Sequence, residues 1–163
     1  MNVQDETVAA NQAINARSDN IAKILVAVDL TPHSEKTVAY GVYFAKRVGA
    51  SITILHVFPP EPAVEFMSEY VFESFERSRR LMGQKLTKLI EQVRQTGVKC
   101  DHDFRVGDPA EEVAAAAKDL HADLIITGKH HAGLLGRLFS LDQAPRILHR
   151  VGCPVLVHPD GDE

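Results

Sequence analysis

Asp29 closes an apolar run, KILVAVD, and a carboxylate in that place can hold a ligand's hydroxyl or amine, or serve as a general base. No nucleophile, metal set or second acid accompanies it in the sequence, so a binding or turn role is expected. Gly128 follows another apolar run directly, where a missing side chain lets a turn pass close to a ligand or a neighbouring strand. Beyond it lie the cations Lys129, Arg137, Arg146 and Arg150, with His130, His131 and His149 among them and Asp142 as the nearby opposing charge. Such a cluster can hold an anion through side chains, but a solvated loop and helix face is the expected reading. Adjacent histidines usually point apart, and no cysteine or carboxylate cluster completes a ligand set around His130-His131, so no metal is expected. His56 and Cys153 sit in apolar strand contexts, where core packing is expected before catalysis.

The elements that must position these residues alternate regularly. Residues 23–29 and 51–58 (SITILHVF) are short apolar runs suited to buried parallel strands. Between them Thr31 is expected to cap a helix with Pro32 in its first turn, and Val38, Val42, Ala45 and Val48 form a stripe down to Gly49. Prolines 59, 60 and 62 force a loop before a long helix that ends near Gly97, with Met82, Leu86, Leu89, Ile90 and Val93 on its inner face. Residues 98–106 alternate apolar with polar side chains, as in a strand near a sheet edge. Asp108-Pro109-Ala110-Glu111 then has the spacing of a reciprocally capped helix start. A strand at 123–127, a loop at 128–141, a short helix at 142–150 and a strand at 154–157 complete a β-α-β-α-β-α-β-α-β order. That order predicts an α/β protein with one doubly wound, five-stranded parallel sheet whose ligands sit beyond the strand C-termini. Asp29, Val57, Gly107 and the loop from Gly128 all fall at that end.

At 163 residues, 45% hydrophobic and 25% charged, the chain suits one globular domain. A net charge of −4 argues against a dedicated nucleic-acid binder. Cys100 and Cys153 lie in strand-like stretches, read as buried free thiols in a reducing compartment. No run approaches about 18 apolar residues and the N-terminus lacks the pattern of a signal, so a cytoplasmic protein without a membrane span is expected. Residues 1–20 read as a mobile N-terminal tail, 21–158 as the domain and 159–163 as a C-terminal tail.

KILVAVD with TPHSEKT behind it, ITILHVF, the VGDPAEEV turn, the segment GKHHAGLLGRLFSLDQAPRIL and GCPVLV come in the order and spacing of the universal stress protein family, which the domain resembles throughout. The resemblance implies a Rossmann-like sheet in the order 3-2-1-4-5, related to the adenine-nucleotide α-hydrolase-like group. It also implies a homodimer paired through the last strand, an unknown protein partner and a regulatory role in the stress response. The final strand at a sheet edge agrees, because its open hydrogen bonds need a cover.

In that family a G-x2-G-x9-G-S/T loop exposes backbone amides to ATP phosphates. Carried over residue by residue, Asp29 matches the aspartate near adenine and ribose, Val57 the strand-end position whose backbone meets the base, and Gly128 the first loop glycine. The second glycine position is His131, the third is Leu141, and the hydroxyl position is Asp142. His131 and Leu141 disfavour the positive φ that wrapping phosphate requires, and Asp142 at a helix N-cap competes with phosphate for the same amides. The chain thus resembles the branch with a degenerate ATP loop, near the enterobacterial universal stress protein A. The reading is a non-enzymatic homodimeric regulator with no cofactor and lost or weak ATP binding. The alternative is a nucleotide-dependent switch holding ATP or AMP, with slow hydrolysis as an option. No S-G-G-x-D-S, H-x-G-H or Walker loop supports an enzyme of the wider group.

Overall fold

The computed structural model describes residues 20–58, 60, 68–128 and 143–159, with side chains excepted at 143–145. The expectations for residues 1–19, for His131, Leu141 and Asp142, and for residues 160–163 lie outside that part.

Five strands, β1 (Lys23–Val28), β2 (Ser51–Phe58), β3 (Cys100–Val106), β4 (Leu124–Gly128) and β5 (Val155–His158), form one parallel sheet in the order β3-β2-β1-β4-β5. Among the described residues four helices connect them: α1 (Ser34–Val48), α2 (Glu69–Gln95), α3 (Pro109–Asp119) and α4 (Gln143–Leu148). The expected order, parallel pairing and α/β class are all present.

Alternation along the strands divides the core into two layers. Ile24, Val26 and Val28 of β1, with Ile52 and Ile54 of β2 and Ile126 of β4, pack against Val38 and Ala45 of α1 and against Leu86, Leu89, Ile90 and Val93 of α2. The intervening residues, Leu25, Ala27, Leu55, Val57 and Ile125, face Ala110, Val113, Ala116 and Ala117 of α3 and Ile147 of α4. Strands buried on both faces read as continuous apolar runs, which is how β1, β2 and β4 look in the sequence. β3 lies at one edge, with Asp101, His102, Phe104 and Val106 exposed and Asp103 and Arg105 half-buried. Cys100 begins it, buried, with its thiol pushed up to about 11 by burial. Cys153 precedes β5 at the opposite edge, and both thiols are free.

Helix ends follow local chemistry, with one correction. α1 starts at Ser34 rather than at Pro32, and its N-cap is His33, which makes no side-chain capping bond. Thr31 does not cap it, because its hydroxyl turns back to donate to Asp29 Oδ1 at 2.7 Å. α1 stops where Gly49 takes φ 74°, a left-handed turn that glycine adopts without steric cost. At α3, Asp108 accepts from the amides of Ala110 and Glu111, each at 3.1 Å, as the sequence predicts. The reciprocal half is replaced: Glu111 faces Arg150 at 3.7 Å instead.

Candidate functional site

The C-terminal ends of β1, β2 and β4 bring the retained residues to one end of the sheet. Ala27 of β1 is level with Thr127 of β4, so Asp29 and Gly128 lie at the ends of adjacent strands, where the strand order reverses. Val57 sits one strand away in β2, paired with Arg105 of β3 and fully buried against the α3 layer.

Asp29 organises its own turn. Its Oδ1 accepts from the Thr31 amide at 3.0 Å, the Thr31 hydroxyl at 2.7 Å and the Ser34 hydroxyl at 2.8 Å. These bonds hold the chain through Leu30, a non-glycine residue at φ 60°, whose carbonyl accepts from Lys85 Nζ at 3.2 Å. A left-handed leucine is strained, and a carboxylate that gathers three donors on the residues after it is a physical way of holding that strain. Gly128 also has an internal reason. A Cβ built on it would lie 2.7 Å from Thr37 Oγ1, on the buried face of α1. The missing side chain therefore admits a helix hydroxyl to the strand end.

His56 is the nearest buried titratable group. It is level with Val28 in β1, and its Nδ1 lies 2.9 Å from the Val28 carbonyl. A carbonyl only accepts, so Nδ1 carries the proton and Nε2 is the bare nitrogen, buried without a hydrogen-bond partner. The ring meets Phe58 edge-on with centroids 5.5 Å apart and Phe104 at 5.8 Å. Burial holds its pKa below the usual histidine value, against the opposing pull of the Val28 carbonyl and the Asp29 charge. His56 is thus a core residue, as its apolar sequence context implies.

Arg146 and Arg150, the described arginines of the cluster, face carboxylates that the linear sequence does not place near them. Arg146 of α4 reaches both oxygens of Asp108, at 3.1 and 3.2 Å, and Arg150 has Glu111 at 3.7 Å. For Asp108, burial works against ionisation but is outweighed by the Glu111 amide, the Arg146 guanidinium and the Ala110 amide, which hold its pKa below the usual value. Arg146 and Arg150 therefore serve the α3–α4 junction. Among the described residues no group of three or more histidine, cysteine or acidic side chains has metal-binding geometry.

Three of these arrangements escape sequence reasoning, for two different reasons. Thr31 and Ser34 carry a readable signal, hydroxyls two and five residues after an aspartate. Thr37 beneath Gly128, and Asp108 against Arg146 38 residues away, carry none until the topology is known.

The family model described as "Universal stress protein family" matches residues 20–159. A universal stress protein of Thermus aquaticus is 30% identical over 135 residues, covering 82% of this chain and 96% of its own. Among solved structures, UspA from Lactobacillus plantarum superposes with a TM-score of 0.69 at 19% identity, over 85% of this chain and 97% of that one. The Archaeoglobus fulgidus universal stress protein in complex with dAMP gives a TM-score of 0.58 at 16% identity, over 85% and 98%.

Proposed function

The chain belongs to the universal stress protein family, and from that premise we propose that it is a non-enzymatic homodimeric regulator of the stress response with lost or weak ATP binding. The observation that carries this reading is the internal use of the retained nucleotide positions. Asp29 Oδ1 is committed to Thr31 and Ser34, and the space that Gly128 leaves is filled by Thr37 rather than left open. Both residues thus have a reason to be present without ATP. The sequence adds His131, Leu141 and Asp142 where the family's phosphate loop has two glycines and a hydroxyl. Among the described residues no helix is long and apolar enough to cross a membrane, and a cytoplasmic protein acting through protein contacts fits this reading.

The competing reading is a nucleotide-dependent switch, favoured by structural neighbours described in complex with cAMP and with dAMP. The two separate by what co-purifies. Protein purified in its folded form, then heat-precipitated, releases no adenine nucleotide if the regulator reading is right, and ATP at millimolar concentration leaves its melting temperature unchanged. Stoichiometric AMP or ATP in the supernatant, absent from an Asp29→Ala preparation of equal helicity, supports the switch and overturns the first reading.

A further inference from the structure

The edge strand β3 presents different chemistry on its two faces. Its pairing with β2 begins where the Ile52 amide donates to the Lys99 carbonyl at 2.9 Å, and successive residues of a strand turn their N–H and C=O groups to alternate sides. The backbone groups of Cys100, His102, Phe104 and Val106 therefore point away from the sheet. Arg94 of α2 caps the first of these carbonyls, donating to Cys100 from Nε at 3.1 Å and from Nη2 at 3.0 Å. Among the described residues no strand pairs with the edge over His102, Phe104 and Val106.

On the α2 side this open stretch is apolar. Phe104 is 36% and Val106 50% exposed. A groove of about 390 Å³ runs between α2 and β3 over Leu86, Ile90 and Phe104, with Glu91 and Arg94 among its polar walls. Gly83 lines it too, and a Cβ there would meet nothing within 4 Å, so the groove stays open at that point. On the α3 side the same stretch is acidic. Arg105 is shared by Asp103 at 2.9 Å, Asp119 at 2.9 Å and Glu112 at 3.9 Å. Asp101 adds a fourth, exposed carboxylate, and the other cation on this face of the strand is Lys99 before its start. Lys118 lies on the β5 side of α3, beside Arg150 and Cys153. The face keeps an excess of carboxylates.

A strand added to this edge alternates its side chains between the two faces, whichever way it runs. A second copy of β3 would bring two acid-rich faces together, so the charge favours a different occupant. Resting on the reading above of a regulator that acts through protein contacts, we propose that the β3 edge is the docking site for an extended segment of a partner protein in which apolar residues alternate with lysines or arginines. Its apolar set covers Phe104 and Val106, its cations face Asp101 and Asp103, and its main chain pairs with His102, Phe104 and Val106. The same carboxylates keep copies of the chain from pairing through β3.

Fluorescence anisotropy tests it, with the full chain titrated into a labelled peptide of sequence KVKVKVK and circular dichroism confirming the fold of each variant. At about 0.05 M salt the peptide binds with a Kd of roughly 10–100 micromolar, weakening about fivefold or more at about 0.5 M. His102→Pro removes an outward N–H while leaving the bonds to β2 in place, and weakens binding about tenfold. Gly83→Leu sets a side chain over the groove and weakens it about threefold or more. Asp101→Lys weakens KVKVKVK and strengthens EVEVEVE. Should the proline variant lose its fold, the other two substitutions carry the test. Equal binding of KKVVVKK, which has the same composition without the alternation, or a Kd unchanged in all three variants, overturns the proposal in favour of unspecific charge attraction. Self-association of the protein alone that His102→Pro reduces, read by sedimentation equilibrium, assigns the edge to a second copy and overturns it too. These readouts are independent of nucleotide, so their failure leaves the loss of ATP binding to be judged separately by titration.

Discussion

Gly128 offers a direct comparison between packing and phosphate as the reason for a retained glycine. In Gly128→Ala the new methyl meets Thr37 Oγ1 at 2.7 Å, while the Thr37 Cβ stays at an ordinary 3.9 Å. The conflict is therefore with one atom of a β-branched side chain that is 2% exposed and has few rotamers to retreat into. Overpacking of this kind costs about 1–3 kcal/mol. Gly128 is not at positive φ, so alanine also recovers about 0.4–1 kcal/mol by restricting the unfolded chain. The expected net loss is about 1–2 kcal/mol. Thr37→Ala removes the offending oxygen, and in that background Gly128→Ala becomes neutral or slightly stabilising. A double-mutant cycle thus gives a coupling of about 1–3 kcal/mol. Urea unfolding at one fixed protein concentration measures all four proteins, because dimerisation makes stability concentration-dependent. Additivity, with Gly128→Ala costing the same in both backgrounds, refutes the packing explanation and returns the glycine to a ligand-facing role.

Two further outcomes follow from the charges. His56 is held neutral by burial, so its folded pKa lies below its unfolded value of about 6.5. The unfolded state then binds the extra proton first, and the stability tied to this ring is complete above that value. It declines as pH falls below it, by up to about 1.4 kcal/mol per pH unit until the folded pKa is passed. His56→Gln is expected to lose this part of the slope between pH 6.5 and 5, and equal slopes in urea titrations of both proteins would contradict it. Asp108 has the opposite chemistry and a lowered pKa, so its contribution is present above the unfolded carboxylate value and disappears as pH drops through the folded one. Asp108→Ala is expected to cost about 1–2 kcal/mol at pH 7, chiefly as a lost cap, since its pair with Arg146 is partly exposed. The same substitution should matter little near pH 2, and a loss that is independent of pH would point to packing instead.

The fold was legible because its strands carry their environment in their composition. Residues 24–28 and 124–126 are apolar without interruption, as strands covered on both faces must be, and β3 announces its edge position by alternating. The start of α1 was misplaced because Thr31-Pro32 has the composition of a helix start, while the stronger bond for Thr31 was to Asp29 two residues earlier. For the site, the sequence located Asp29, Val57 and Gly128 at one end of the sheet but could not reveal what each touches. Thr37 comes under Gly128 only because α1 crosses back over β4, and Arg146 finds Asp108 only because α4 packs beside the start of α3. Arg146 and Arg150, which look unopposed along the chain, face Asp108 and Glu111 once those helices meet.

The central claim is that the retained aspartate and glycine have structural duties and that nucleotide affinity has been lost or weakened. Isothermal titration of ATP into nucleotide-free protein addresses it most directly. The account predicts no saturable heat below millimolar ATP, for the wild type and for Asp29→Ala alike. A wild-type Kd in the micromolar range that disappears in Asp29→Ala protein of unchanged fold would contradict it.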